Sequence, residues 1–313
     1  SGAGRVILRI LEEDVFAAQG GHLVLPGVGT GAPNMGNLPQ FEGPSLLVPS
    51  LVLVDPGARS LTALDLAGNI RPGWPVFVFP YGSSQGGLSQ PMAANLDGVP
   101  GDEIVVASDF GSVYFFTAQG AFRTVNLEFN RQLTAPVGFQ TAAGGWRVVV
   151  VDDVGRVRTW SWNAAVNAAP ELKNEAFLFR NGRLAPAAGR LTDSGGESLV
   201  VAFADGWLGV FDENLVLRSG WPKELAATLE VAPVLCDLNG DGLHEIVLPV
   251  RNALSGQLVM RVFDGDGNSL PTDGAVVPAP RGGRWLNLSQ AVVSGRYDTG
   301  ELNVAVAGLA DNG

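Results

Sequence analysis

Short apolar runs, broken by Gly, Asp, Asn and Pro, set the rhythm of the chain. Four phrases line up: Gln90-Pro91-Met92-Ala93, Ala135-Pro136-Val137-Gly138, Ala185-Pro186-Ala187-Ala188 and Ala232-Pro233-Val234-Leu235. Gln290-Ala291-Val292-Val293 is a weaker fifth. Each phrase leads, after a polar gap, to a β-rich run: Glu103 to Ala107, Arg147 to Val151, Ser198 to Ala202, Glu245 to Val250 and Leu302 to Ala307. An earlier run, Leu51 to Val54, belongs to a unit whose first strand is less clear. Further runs follow at Leu61 to Leu66, Ser112 to Thr117, Arg156 to Trp162, Trp207 to Asp212 and Leu258 to Asp264. Runs this short, bounded by turn formers, read as strands. Helical periodicity is weak throughout. Its best stretch, Ala164 to Ala176, is interrupted by Pro170, which removes a donor and clashes with the preceding turn.

Three to four strands in a repeat of about 45 residues is the period of a propeller blade. One such sheet cannot bury both faces alone, so neighbours must stack. The expected fold is all-β: a β-propeller of six blades, or seven if Val15 to Leu47 holds further strands. A pair of β-sandwiches is the competing architecture, and the regular period favours the propeller. Gly4 to Glu12 aligns with Gly256 to Asp264, so the chain opens on a third-strand segment. It closes on first- and second-strand segments. The N-terminal strands are therefore expected to complete the last blade and close the ring, which removes exposed edges. The expected blades are 28–88, 89–132, 133–184, 185–230, 231–289, and 290–313 with 1–27, in one domain.

Composition narrows the function. The 313 residues are 46% hydrophobic and 16% charged, too apolar for a disordered chain. Ser45 to Val54 is the longest near-continuous apolar stretch, about half the ~20 residues a membrane-spanning helix needs. Residues 1–20 hold acids and no apolar run, so they do not read as a signal peptide. A net charge of -11 argues against nucleic acid or an anionic membrane as partner, since both need a basic footprint. It suits divalent cations. Cys236, the single cysteine, cannot form an internal disulfide and reads as buried filler.

The sharpest motif is Asp237-Leu238-Asn239-Gly240-Asp241-Gly242-Leu243-His244-Glu245. Asp237, Asn239, Asp241 and Glu245 put oxygen side chains at positions 1, 3, 5 and 9. The Leu243 carbonyl is a further candidate ligand. Ca²⁺ takes six to eight oxygens, and alternate residues of a tight loop can point inward together. An EF-hand would need a Glu at position 12 and flanking helices. Here Leu248 stands at that position, between expected strands. His244 is expected to face outward. A weaker copy, Asn95 to Glu103, keeps Asn95, Asp97, Asp102 and Glu103 but has Val99 at position 5. A third, Leu191 to Glu197, keeps Asp193 and Glu197 and loses the spacing; Gln140 to Trp146 has no carboxylate. The competing reading of all these loops is an Asx- and Gly-rich turn satisfied by its own backbone. Asp264-Gly265-Asp266-Gly267-Asn268 is read as such a turn.

These residues carry a resemblance. Ala232 to Val247 and Met92 to Val106 are similar to the FG-GAP and VCBS repeats, the blades of integrin-α-like propellers. Gly73-Trp74-Pro75 and Gly220-Trp221-Pro222 also look like bacterial members of that family. The resemblance covers most of the chain as a rhythm and is specific in two units. It implies Ca²⁺ in the acidic loop and a role in adhesion or protein interaction outside the cell, at the cell surface or in the periplasm.

Catalytic signatures are thin. Gly82-Ser83-Ser84-Gln85-Gly86 matches G-x-S-x-G, but that elbow needs a following helix and a partner His. His22 and His244 are the only histidines. Asn287-Leu288-Ser289 is a glycosylation sequon of the kind that arises by chance. Trp146, Trp160, Trp162 and Trp207 are expected between blades. Trp74 and Trp221 are expected at the rim, where exposed rings would serve a glycan or protein surface. The function expected is a non-catalytic, Ca²⁺-stabilised surface module that binds a protein or a glycan. The alternatives are a carbohydrate-active lyase or glycosidase on a propeller, and an architectural subunit of a larger assembly.

Overall fold

The computed structural model describes residues 34–39, 47–55, 59–65, 67–78, 87–99, 101–127, 130–164, 168–181, 184–193, 195–270, 274–276, 285–294 and 303–310. The expected ring-closing strands at residues 1–27 and the Gly82 to Gly86 motif lie outside them. Among the described residues there is no helix, and 23 strands form six sheets.

Sheet one holds β1 (Asn34–Pro39), β2 (Leu47–Asp55), β3 (Ser60–Asp65) and β4 (Val76–Phe77) in that order. Sheet two holds β5 (Met92–Ala94), β6 (Glu103–Ala107), β7 (Ser112–Phe116) and β8 (Phe122–Asn126). Sheet three holds β9 (Val137–Gln140), β10 (Trp146–Val151), β11 (Arg156–Ser161) and β12 (Glu171–Phe177). Sheet four holds β13 (Ala187–Gly189), β14 (Ser198–Ala202), β15 (Trp207–Phe211) and β16 (Lys223–Glu224). Sheet five adds a strand: β17 (Ala227–Leu229) and β18 (Val234–Cys236) both pair β19 (Glu245–Asn252), which pairs β20 (Leu258–Phe263) and then β21 (Ala275–Val276). β22 (Trp285–Ser294) and β23 (Asn303–Ala310) pair antiparallel as a sixth. From Glu171 on, the helical stretch weighed at Ala164 to Ala176 is instead β12, whose Lys173 is the extra residue of a bulge opposite Thr159 and Trp160.

Packing separates two compact units, residues 1–93 with 100–129 and residues 94–99 with 130–313. In the first, Val52, Val54, Leu61 and Ala63 of sheet one pack with Ile104, Val106, Tyr114 and Phe116 of sheet two. In the second, β14 shows why its sequence is apolar from Leu199 to Ala202. Leu199 and Val201 join Phe139, Val149 and Val151 of sheet three, while Val200 and Ala202 join Ile246, Leu248 and Val250 of sheet five. Successive side chains point to opposite faces of a strand, and here both faces are covered. Each such buried Val or Leu contributes about 1.5–3 kcal/mol. The outermost strands are short or alternate in exposure, as in β8 and β12.

Candidate functional site

The acidic loop bridges β18 and β19, whose ladder closes on Cys236 opposite Glu245. Gly240 and Gly242 sit at φ +82° and +85° with nothing within 4 Å of a built Cβ. Conformation, and not crowding, therefore selects glycine there. Asp237, Asn239, Asp241 and Glu245 each turn a side-chain oxygen onto the loop's own amides. Asp237 Oδ1 accepts from Gly240 N–H at 2.6 Å and Oδ2 from Gly242 N–H at 2.9 Å. Asn239 Oδ1 accepts from Asp241 N–H, and Asp241 Oδ1 from Leu243 N–H, both at 2.8 Å. Glu245 Oε2 accepts from Leu238 N–H at 2.6 Å. The remaining oxygens, Asp241 Oδ2 and Glu245 Oε1, each lie 3.0 Å from Asn239 Nδ2. Two carboxylate oxygens thus face one amide nitrogen.

The electrostatics reflect that crowding of acids. Glu245 is 2% exposed. Burial raises its carboxyl pKa, the Leu238 amide opposes this, and Asp241 and Asp237 push it further up. At Asp237 the upward push of burial is outweighed by the amides of Gly242, Gly240 and Asp241, with His244 adding, so its pKa falls. The buried Cys236 thiol is pushed up to about 11, by burial first and then by Glu245 and Asp237; it forms no disulfide. Among the described residues no group of three His, Cys, Asp or Glu side chains is assembled as a metal cluster. In kind the donors fit a hard cation, being all oxygen and mostly anionic. Asn239 spends its oxygen on the Asp241 N–H, so it turns its amide donor toward the two carboxylate oxygens.

The weaker loop repeats the same turns with fewer acids. Asn95 Oδ1 accepts from Gly98 N–H at 2.6 Å and Asp97 Oδ1 from Val99 N–H at 2.8 Å. Asn95 Nδ2 donates to the Val99 carbonyl at 2.7 Å, in the place where Asp237 Oδ2 accepts from the Gly242 N–H in the other loop. Asp102 is half-buried and Glu103, at the start of β6, is buried; both are engaged in contacts. The Asp264 to Asn268 turn is closed by Asn268, whose N–H and Nδ2 donate to Asp264 at 2.8 and 2.9 Å.

Several placements bear on the sequence reading. His244 does not face outward: its N–H donates to the Arg190 carbonyl at 2.7 Å, and its Nδ1 accepts from Arg190 N–H at 3.1 Å. A Cβ on Gly189 would lie 2.6 Å from that Nδ1. Glu197 is not a loop ligand: its N–H donates to the Gln140 carbonyl at 2.8 Å, and its Oε2 accepts from Gln140 N–H at 2.7 Å. Glu197 and His244 each stand just before the central strand of their sheet, and each grips the end of the preceding sheet's first strand. That shared position was the available sequence signal. Finally, Trp74 and Trp221 are each only 7% exposed and offer no surface platform. Their indole N–H groups donate to the carbonyls of Ala118, at 3.2 Å, and Gly265, at 2.9 Å, in the next sheet's hairpin. Trp160, Trp162 and Trp207 are buried as expected, whereas Trp146, at the start of β10, is only half-buried.

A cleft of about 300 Å³ in the second unit is lined by Thr192, Asp212, Val216, Leu217, Arg218 and Asp266, among others. One guanidinium against two carboxylates gives it no charge preference for an anion.

No protein-family model and no curated protein sequence matches the chain. Solved structures do. BBS1N, seen in complex with ARL6DN, aligns at a TM-score of 0.58 and 13% identity over 90% of this chain and 80% of its own. Virginiamycin B lyase from Staphylococcus aureus aligns at 0.51 and 12%, covering 88% of each chain. The V. cholerae biofilm matrix protein Bap1 aligns at 0.51 and 17%, over 86% of this chain and 46% of its own. At these identities the likeness speaks for architecture alone, and propellers with binding roles and with lyase activity stand side by side. With its succession of antiparallel four-stranded sheets, the chain is an all-β protein of the β-propeller fold.

Proposed function

We propose that this propeller is a non-catalytic interaction module of the FG-GAP/VCBS kind, working outside the cell or at its surface and stabilised by Ca²⁺ at the Asp237 to Glu245 loop. Its partner in this reading is a protein. The observation that carries the metal assignment is the convergence of Asp241 Oδ2 and Glu245 Oε1 on Asn239, each at 3.0 Å, beside Asp237. Asp237, Asn239, Asp241, Glu245 and the Leu243 carbonyl would hold the ion. Bound Ca²⁺ supplies charge neutralisation to a loop that otherwise crowds three carboxylates. The chain's own part is to pre-shape that loop, through Gly240, Gly242 and the amide bonds to Asp237. Asn95, Asp97, Asp102 and Glu103 form a second, weaker candidate, poorer by the acid that Val99 replaces.

The interaction role is supported by the company the fold keeps: a biofilm matrix protein and a propeller seen bound to another protein. The test is thermal unfolding of chelator-treated protein with and without millimolar Ca²⁺. A ligand that binds only the folded state raises stability with the logarithm of its concentration. The expected result is a rise in Tm that Asp241→Ala abolishes. An equal response in both proteins, or none in either, would refute the assignment.

A further inference from the structure

Three hairpins share one turn, and sheet four departs from it. In sheet one, Asp65 Oδ1 accepts from Asn69 N–H at 2.8 Å and Oδ2 from Asn69 Nδ2 at 3.0 Å. In sheet five, Asn268 closes on Asp264 in the same way. Each of these carboxylates has both oxygens engaged inside its own turn. Sheet four keeps the aspartate, Asp212, but has Val216 where the asparagine stands in the others. Asp212 Oδ1 accepts from the Asn214 and Val216 N–H groups, both at 2.9 Å. Valine has no side-chain donor, so Oδ2 is not closed off as it is in sheets one and five.

Asp212 also lines the cleft of about 300 Å³, together with Arg218 and Asp266. The backbone of Arg218 is fixed, its N–H donating to the Val210 carbonyl at 2.8 Å and its carbonyl accepting from Trp221 N–H at 3.3 Å. Its Nε is buried and meets no acceptor among the described residues. The sheet-five side is fixed as well, since a Cβ on Gly265 would run into the Leu191 carbonyl. A buried donor without an acceptor is costly, and a partner in the cleft would relieve it.

Such a partner must accept from a guanidinium and donate to carboxylates. A lone anion would meet Asp212 and Asp266, and a lone cation would meet Arg218. A hydroxyl group both donates and accepts. Thr192 and Ser219 line the cleft with further polar groups, and the exposed Val216 and Leu217 offer an apolar edge to ring C–H groups. The volume falls at the small end of ligand sites, which run from roughly 300 Å³ upward. We propose that this cleft is a subsite for a neutral sugar ring, with Arg218, Asp212 and Asp266 bonding its hydroxyls. The site needs no metal and is separate from the Asp237 to Glu245 loop.

The experiment is saturation-transfer NMR with the methyl glycosides of glucose, galactose, mannose and N-acetylglucosamine, followed by titration of the protein's amide resonances. Wild type should bind at least one glycoside, with shifts centred on Val216 to Ser219 and Gly265, and with the same affinity in chelator. Arg218→Met keeps the apolar stem and removes every donor; losing a hydrogen bond from a charged group predicts at least about tenfold weaker binding. Val216→Asn restores the turn of sheets one and five. It should weaken binding while leaving Tm at or above wild type, so a folding defect cannot mimic the result. Asn69→Val, the converse change in sheet one, should leave affinity unchanged. Silence from every glycoside overturns the proposal, as does wild-type affinity in Arg218→Met and Val216→Asn. Equal weakening by Asn69→Val refutes the assignment to this cleft. Shifts at these residues with tetralysine in place of the glycosides would make it a cation site and overturn the sugar reading.

Discussion

Replacing Trp221 gives a measurement of how a linker turn is fastened to the sheet beyond it. The indole is 7% exposed and belongs to the core shared by sheets four and five. Its N–H donates to the Gly265 carbonyl at 2.9 Å. The ring meets Phe263 edge-on at 5.9 Å, and Lys223 Nζ lies 5.6 Å from the ring centroid. Gly220 just before it sits at φ +85°, where a Cβ would lie 2.0 Å from the Asp266 carbonyl oxygen. The backbone approach is thus as close as the side-chain contact. Truncating a buried tryptophan to alanine costs about 3–5 kcal/mol. Phenylalanine keeps most of the packing but leaves the Gly265 carbonyl without its donor, which costs about 1–3 kcal/mol. Urea unfolding followed by circular dichroism should therefore rank wild type above Trp221→Phe and Trp221→Phe above Trp221→Ala. The same order is expected at Trp74, whose N–H reaches the Ala118 carbonyl at 3.2 Å and whose ring lies 5.8 Å from Phe116. An alanine variant losing less than about 1 kcal/mol, or a phenylalanine variant as damaged as alanine, would refute the reasoning.

Two further outcomes are expected. Asp65 is held below its usual 3.8 by the Asn69 side chain first; burial opposes this, and the backbone amides of Asn69 and Ala67 and the charge of Arg71 add to the lowering. A depressed carboxyl stabilises the fold above its unfolded pKa and loses that contribution as pH falls through its folded value. The stability gap between wild type and Asp65→Asn should therefore be open near neutrality and close in acid; a gap constant with pH in denaturant titrations would contradict this. Ser198 is fully buried at the start of β14, and among the described residues its hydroxyl has no hydrogen-bond partner. Ser198→Ala should be neutral or stabilising by up to about 1–3 kcal/mol, and a loss of stability in urea would show that the hydroxyl is bonded after all.

The central strands were legible in the sequence because both of their faces are buried. Glu103–Ala107 and Ser198–Ala202 read as unbroken apolar runs, and they are β6 and β14 to the residue. The outer strands were not legible. β12 carries Glu171, Lys173, Asn174 and Glu175 on a surface it shares with solvent, so neither composition nor period marks it. β16 and β21 are two residues long, below any window of periodicity. At the acidic loop, spacing alone pointed to the inward side chains of Asp237, Asn239, Asp241 and Glu245. The same spacing said nothing of His244, because its partner Arg190 is 54 residues away and contributes only backbone. The rim assignment of Trp74 and Trp221 failed for a related reason. A tryptophan after glycine in a turn looks exposed until the carbonyl that receives its N–H, 44 residues on, is known.

That 44-residue reach has a consequence for dissecting the protein. Where a Gly-Trp-Pro turn occurs, a sheet and its exit segment are not a detachable tile. The exit segment is shingled onto the hairpin of the following sheet, as Gly73 is against Gln119 and Gly220 against Asp266. A fragment cut after β4 or β16 would carry a tryptophan stripped of its acceptor, and its neighbour would carry a carbonyl stripped of its donor. Grafts, swaps and circular permutants of these repeats should accordingly be cut out of step with the sheets. The piece that keeps this contact begins at the glycine before the tryptophan and ends beyond the next hairpin, and it takes β4 or β16 away from its own sheet.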